Sequence, residues 1–133
     1  MILFGDTSGF FAFLSASDAA HARVTREFRR LFQDRAVIRT TSYVLVETIA
    51  LLQHRIGLNV VREFESEMLP LLEVEWVSAD LHRRGMRRLM QEDRRKLSLV
   101  DCVSLEYIKQ HQLRDVLSLD RHFAEAGCRL RPE

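Results

Sequence analysis

A three-layer α/β/α fold, with helices on both sides of a mainly parallel sheet, is what this chain predicts, and two observations predict it. Short apolar runs alternate with longer amphipathic ones along the whole length, which is the trace left by buried strands and one-sided helices. Only two prolines and five glycines occur among 133 residues. That leaves no room for a flexible linker, so residues 1–133 read as one domain around one core.

Taken in order, residues 2–5 form the first strand, an apolar run closed by Asp6. Residues 8–14 make a short helix and residues 19–33 an amphipathic one, with Asp18 placed to cap it. Residues 36–40 are the second strand. The helix over 42–56 carries Val44, Leu45, Ile49, Leu52 and Ile56 at helical spacing and is stopped by Gly57. Another helix over 60–69 ends near Pro70, and residues 72–77 are the third strand. Helices over 79–92 and 99–112 precede a fourth strand at 116–119, and residues 128–130 are a weak fifth. If the chain starts in mid-sheet and then reverses direction, right-handed crossovers send early helices to one face and later ones to the other, giving the strand order 3-2-1-4-5. Ligands of such sheets bind beyond the carboxyl ends of the strands, where the order reverses. Asp6 and Asp120 end the first and fourth strands and flank that point.

Composition narrows the function. Hydrophobic residues at 47% and charged residues at 29% describe a folded globular chain. A formal net charge of +1 gives no bulk attraction to nucleic acid, so such a partner must be read from local charge. Cys102 and Cys128 lack CxxC spacing and read as reduced thiols. No basic-flanked apolar leader and no stretch of about 20 apolar residues occurs, so the expectation is a cytoplasmic protein with no membrane segment.

Four carboxylates interrupt apolar patterns. Asp6 closes Ile2-Leu3-Phe4, Glu47 lies within Tyr43 to Ile49, Asp101 follows Leu97-Ser98-Leu99-Val100, and Asp120 closes Val116-Leu117-Ser118-Leu119. A carboxylate in low-dielectric surroundings costs several kcal/mol by order of magnitude unless it is paired, hydrogen-bonded or bound to a cation. A shared hard divalent cation is the simplest single explanation for all four. Each has a blander reading. Asp6 and Asp120 precede helical sequence and suit N-caps. Glu47 and Asp101 follow apolar residues and read as helix-interior positions, where a buried pair with an arginine or His54 would also account for one of them. Glu63, Glu65, Glu67, Glu73, Glu75, Glu92 and Asp93 lie in polar or alternating surroundings and read as solvated surface.

Other chemistry finds no support. Asp6-Thr7-Ser8 lacks the second aspartate of dehalogenase-type phosphatases, and no strand is followed by a glycine-rich loop with lysine. Nothing resembles a zinc set, and His21, His54, His82, His111 and His122 are scattered, with surface or capping roles favoured for His21 and His122. Basic residues cluster at Arg23, Arg26, Arg29 and Arg30, and again at Arg83, Arg84, Arg87, Arg88, Arg94, Arg95 and Lys96. The second cluster leads into Asp101, so it is either a solvated helix face or a track for RNA phosphates, with Arg94, Arg95 and Lys96 nearest the site.

Several segments together resemble the PIN-domain ribonucleases, most closely the VapC toxins of toxin–antitoxin pairs. They are Asp6 to Leu14, Asp18 to His21, Thr41 to Thr48, Leu97 to Leu105, and Leu119 to Phe123 with Gly127 behind. The resemblance spans nearly the whole chain and sets the family's four acidic positions on Asp6, Glu47, Asp101 and Asp120. Ser8 and Ser118 match its hydroxyl positions near the metal. It implies Mg²⁺- or Mn²⁺-dependent hydrolysis of RNA, with Asp6, Asp101 and Asp120 on the metal and Glu47 orienting or deprotonating the attacking water. It also implies an antitoxin partner and a homodimer. For the homodimer, Leu58, Val60, Val61, Phe64, Met68 and Leu69 supply apolar surface. A housekeeping PIN nuclease without an antitoxin, or a PIN-like module that only binds RNA or protein, are the alternatives.

Overall fold

The computed structural model describes residues 1–133. Its sheet has five strands, β1 (Ile2–Gly5), β2 (Val37–Thr41), β3 (Leu72–Glu75), β4 (Asp115–Leu117) and β5 (Arg129–Arg131), in the order β3-β2-β1-β4-β5. All four pairings are parallel, so the sheet is wholly rather than mainly parallel. Seven helices complete the α/β/α layers: α1 (Thr7–Leu14), α2 (His21–Gln33), α3 (Ser42–Arg55), α4 (Leu58–Glu63), α5 (Ala79–Glu92), α6 (Leu99–Gln110) and α7 (Arg121–Glu125). None is long and apolar enough to cross a membrane.

The register positions the site. Gly5 of β1 pairs with Leu117 of β4, and the Asp6 amide donates to the Leu117 carbonyl at 3.0 Å. Asp6 and Ser118 therefore emerge side by side where the sheet order reverses. The core between the layers includes Leu3, Phe4, Phe10, Phe28, Leu52, Phe64, Leu117 and Phe123, all fully enclosed.

Several expectations need correction. Asp18 does not cap α2: its carboxylate accepts from the Ala20 amide at 2.8 Å, closing a turn one step upstream, and the helix begins at His21 on Ala20 without a side-chain cap. The helix expected over 60–69 begins at Leu58 and is irregular. After Glu63 it widens to a π turn (Phe64–Met68), in which the Leu69 amide reaches the Phe64 carbonyl, then tightens to a 3₁₀ turn (Leu69–Leu71) that contains Pro70. Proline has no amide to give to a regular helix, so the ladder must change there. The fourth strand stops at Leu117, because the hydroxyl of Ser118 and the backbone of Leu119 are drawn into the site. The short helix α7, behind Asp120, was missing from the element list drawn from sequence.

Glu27 is a buried carboxylate that sequence reading did not single out. It sits on the inner face of α2 with Val24, Phe28 and Leu31. Its oxygens lie 3.0 Å from Arg131 Nε on β5 and 3.1 Å from Arg30. The Arg131 contact is a charge pair and not a hydrogen bond, since Arg131 Nε–H has no acceptor in line.

Candidate active site at the carboxyl end of the sheet

Local structure fixes each carboxylate. Asp6 is the N-cap of α1, and all its donors converge on one oxygen: Oδ2 accepts from the Ser8 amide (3.4 Å), the Ser8 hydroxyl (3.0 Å) and the Ser118 hydroxyl (3.0 Å). The two hydroxyls are themselves anchored by amides, Leu119 N–H onto Ser8 Oγ and Asp120 N–H onto Ser118 Oγ, each at 2.9 Å. Helix α1 must lie close to β4 for this to form, and Gly9 permits it. A Cβ there would stand 2.7 Å from the Leu117 carbonyl oxygen.

Asp101 departs from the reading of its sequence. It lies in the first turn of α6, at the third helical position, in a reciprocal capping box with Ser98. The Ser98 amide donates to Asp101 Oδ2, and the Asp101 amide donates to Ser98 Oγ, both at 3.1 Å. The helix begins at residue 99 as expected, but the apolar residues before Asp101 made it read as an interior position instead of a first-turn one. Asp120 caps α7, its Oδ1 accepting from the His122 amide at 2.9 Å. Glu47 comes from mid-α3, half-buried, as its helical spacing implied.

These four side chains feel one another across the cleft. Burial, the largest effect, pushes the Asp6 carboxyl up to about 6, and the charges of Asp101 and Glu47 add to the rise against the Ser118 and Ser8 hydrogen bonds. Glu47 is raised by burial and by Asp101 and Asp120, with the Thr7 hydroxyl opposing. Asp101 is raised by burial and by Asp120, against its bonds from Ser98. No lysine or arginine forms an ion pair with any of the four, and His54 is exposed, so the buried-pair explanation fails for Glu47 and Asp101. N-capping does hold for Asp6 and Asp120, and it coexists with a place in the cluster.

Sequence reading placed His122 on the surface or in a cap. Its side chain is instead largely enclosed, with Nδ1 2.9 Å from Asp120 Oδ1 and 3.9 Å from Asp101 Oδ2. Nδ1 has no hydrogen-bond acceptor in line. Asp101, Asp120 and His122 each offer a ligand atom within 4.8 Å of the others. Thr7 and Thr48 were also missed. Both are buried, and Thr48 Oγ1 donates to Thr7 Oγ1 at 3.1 Å beside Glu47. The signal for His122 was its position two residues after Asp120, at the start of a helix.

The donor set fits a hard divalent cation. Asp6, Asp101 and Asp120 each have one oxygen engaged by protein donors and none on the second, although Asp6 lies outside the group of ligand atoms formed by Asp101, Asp120 and His122. Such cations take oxygen ligands, and one or two carboxylates with water and phosphate complete the shell of Mg²⁺. Arg94, Arg95 and Lys96 lie exposed in the turn between α5 and α6, and Arg94 is engaged by Glu125 of α7 at 3.0 Å.

Comparisons with known proteins agree with this fold. The PIN-domain profile matches residues 3–127. The 23S rRNA-specific endonuclease VapC20 of Mycobacterium tuberculosis is 31% identical over 135 aligned positions, covering 99% of this chain and all of the relative. The crystal structure of VapC20, described as a sarcin–ricin loop cleaving toxin, superposes with a TM-score of 0.83 at 30% identity over 97% of both chains. VapBC2 from Rickettsia felis, bound to a promoter DNA fragment, superposes with a TM-score of 0.71 at 13% identity, covering 98% of this chain and 97% of that one. That last likeness is one of fold alone.

Proposed function

Because the chain belongs to the PIN-domain family and is similar to a VapC toxin over its full length, we propose that it is a metal-dependent endoribonuclease. In this reading residues 1–133 act as one PIN domain in the cytoplasm, hydrolysing RNA phosphodiester bonds with Mg²⁺ or Mn²⁺. The observation that carries it is the group of four carboxylates free of any lysine or arginine pairing, three of them oriented through one oxygen and open at the other.

Asp6, Asp101 and Asp120 would hold the ion, with Ser8 and Ser118 fixing Asp6. Glu47, unanchored by backbone amides, would orient the attacking water or take its proton. A bound cation supplies Lewis acidity at the phosphoryl oxygen and a more acidic water. His122 steadies Asp120 through its amide and places its ring beside Asp101. Arg95 and Lys96, exposed and without an ion-pair partner, would meet RNA phosphates at the edge of the cleft, with Arg94 held beside them by Glu125.

The test is purified protein against total cellular RNA with Mg²⁺, Mn²⁺ or EDTA, followed by mapping of the cut ends. The large ribosomal RNA is the first place to look, given the relative's specificity. Discrete cuts that need the divalent ion are expected. Intact RNA under every metal condition, from folded protein, would refute the reading.

The proposal extends to partners. A negative cleft suits an arginine guanidinium, which can pair with a carboxylate through two bonds. An antitoxin tail bearing arginine would therefore lie beside Glu47 and Asp101, competing with the metal. A homodimer is also proposed, on narrower grounds than sequence suggested. Val60, Phe64 and Met68 are spent on the chain's own core, whereas Ile56, Leu58 and Leu71 are about half exposed around α4. Light scattering at micromolar concentration should give twice the chain mass, falling to one chain when Leu58→Glu is introduced.

A further inference from the structure

We infer that the trough between α5, α6 and α7 carries the RNA strand away from the carboxylates, and that Arg87 and Lys109 hold its phosphates. The inference rests on the nuclease reading above and extends it to the path of the substrate.

The trough exists because α5 and α6 pack very closely. A Cβ on Gly85 would stand 2.4 Å from Val103 Cγ2, so only glycine lets the two helices approach this far. Side chains flanking that seam then form walls. A cavity of about 410 Å³ runs between α5, α6 and α7, and one of about 320 Å³ continues along α5 and α6, sharing Arg88, Glu92 and Lys109 with the first. Leu97 and His122 line the near end. Leu97 adjoins Ser98, which holds Asp101, and His122 touches Asp120, so this end of the trough lies beside the carboxylates.

Its charge is positive once internal pairs are set aside. Five basic side chains line the two cavities against three carboxylates. Each carboxylate already has a partner: Glu106 lies 2.7 Å and Glu92 3.9 Å from Arg88, and Glu125 lies 3.0 Å from Arg94. Arg84 is held by Asp80 and Gln110. Arg87 and Lys109 are exposed and have no ion-pair partner, so theirs is the unspent charge. Sequence alone weighed the whole basic cluster together. Of the five basic side chains that line the trough, pairing makes struts of Arg84, Arg88 and Arg94 and leaves Arg87 and Lys109 free for a polyanion.

Position along α6 sets a distance. Lys109 lies eight residues beyond Asp101, about 12 Å at 1.5 Å per residue. That span corresponds to three or four stacked nucleotides at about 3.4 Å each. The phosphate at Lys109 should thus be the third or fourth from the scissile one.

The experiment uses RNA oligonucleotides spanning a mapped cut, lengthened one nucleotide at a time on either side. Binding is measured by fluorescence anisotropy on the Asp6→Asn protein with and without Arg87→Gln plus Lys109→Gln, and cleavage on proteins that keep Asp6. Affinity should rise about tenfold as the third and fourth nucleotides are added on one side, and the double substitution should erase that rise. The salt slope should fall by about 1.4, at about 0.7 per phosphate on a single strand. Cleavage of the shortest substrate should not change. An unaltered length profile, or an equal loss at every length, would overturn the assignment. So would loss of a co-purifying protein partner with RNA binding intact, since the trough would then be a protein surface. If no RNA is cut, the nuclease reading falls, and anisotropy with a length ladder of single-stranded poly(U) decides the trough: length-dependent binding lost in the double variant supports it, and no RNA binding overturns it.

Discussion

Asp6→Asn should abolish RNA cleavage, by about 10³-fold or more, while making the metal-free protein more stable at neutral pH. The two effects part because Asp6 is placed for a cation and at a cost to the fold. Its carboxyl is raised to about 6 from the ordinary 3.8, chiefly by burial and then by Asp101 and Glu47. An acid whose folded value is raised holds its proton longer when folded than when unfolded. Stability therefore falls as pH climbs from about 4 to about 6, and the deficit is complete above that window. The gap corresponds to about 3 kcal/mol. Asparagine carries no charge and keeps an oxygen for the Ser8 and Ser118 donors, so it should recover part of that energy at pH 7 and none of it below pH 4. Melting curves at the two pH values, beside cleavage assays with Mg²⁺ or Mn²⁺, measure both sides. Near-wild-type cleavage, or a lower melting temperature at pH 7, would count against this account of Asp6. Asp101→Asn should show a smaller gain, because its carboxylate also closes the capping box on the Ser98 amide.

Glu27→Ala should cost about 3 kcal/mol and lower the melting temperature by roughly 10 °C. Removing it strands Arg131, whose guanidinium is largely enclosed against α2, while Arg30 is exposed and can turn to water. The cost comes from an unpaired buried charge and not from the loss of a strong bond, so replacing both partners is the informative control. Glu27→Leu combined with Arg131→Leu should recover most of the loss, since apolar pairs of similar volume often equal or exceed a buried ion pair. A double variant as unstable as Glu27→Ala would show that packing, not charge, is what Glu27 provides. Cleavage by the surviving folded fraction should be unchanged, because neither side chain bonds to any of the four carboxylates, and Arg131 meets Ser118 through its backbone, which the substitutions keep.

Much of the proposed site was legible because a carboxylate that breaks an apolar run is visible in one dimension. Asp6, Glu47, Asp101 and Asp120 each leave that mark, and the handedness of crossovers carried the first and fourth strands to adjacent places in the sheet. Glu27 was legible by the same rule, standing three residues after Val24 and four before Leu31 on the inner face of α2. It was passed over because polar neighbours on the outer face break up the run. The capping role of Asp101 was overlooked although the expected helix starts at residue 99, because the apolar run before it made it read as a buried interior position.

The sequence by itself determined the fold class and marked the four carboxylates of the proposed site, since each follows from periodicity within an element; the strand order follows from crossover chirality only together with a start in mid-sheet. Tertiary structure alone decided the partners. Ser118 reaches Asp6 across 112 positions and Ser8 across 110; the ring of His122 turns inward to Asp101, Arg131 finds Glu27, and pairing leaves Arg87 and Lys109 as the free cations of the trough. The physical reason is range. Helical and strand periodicity constrain neighbours a few residues apart, whereas a hydrogen bond or an ion pair depends on distances of about 3 Å between groups that only the packed sheet and helices bring together.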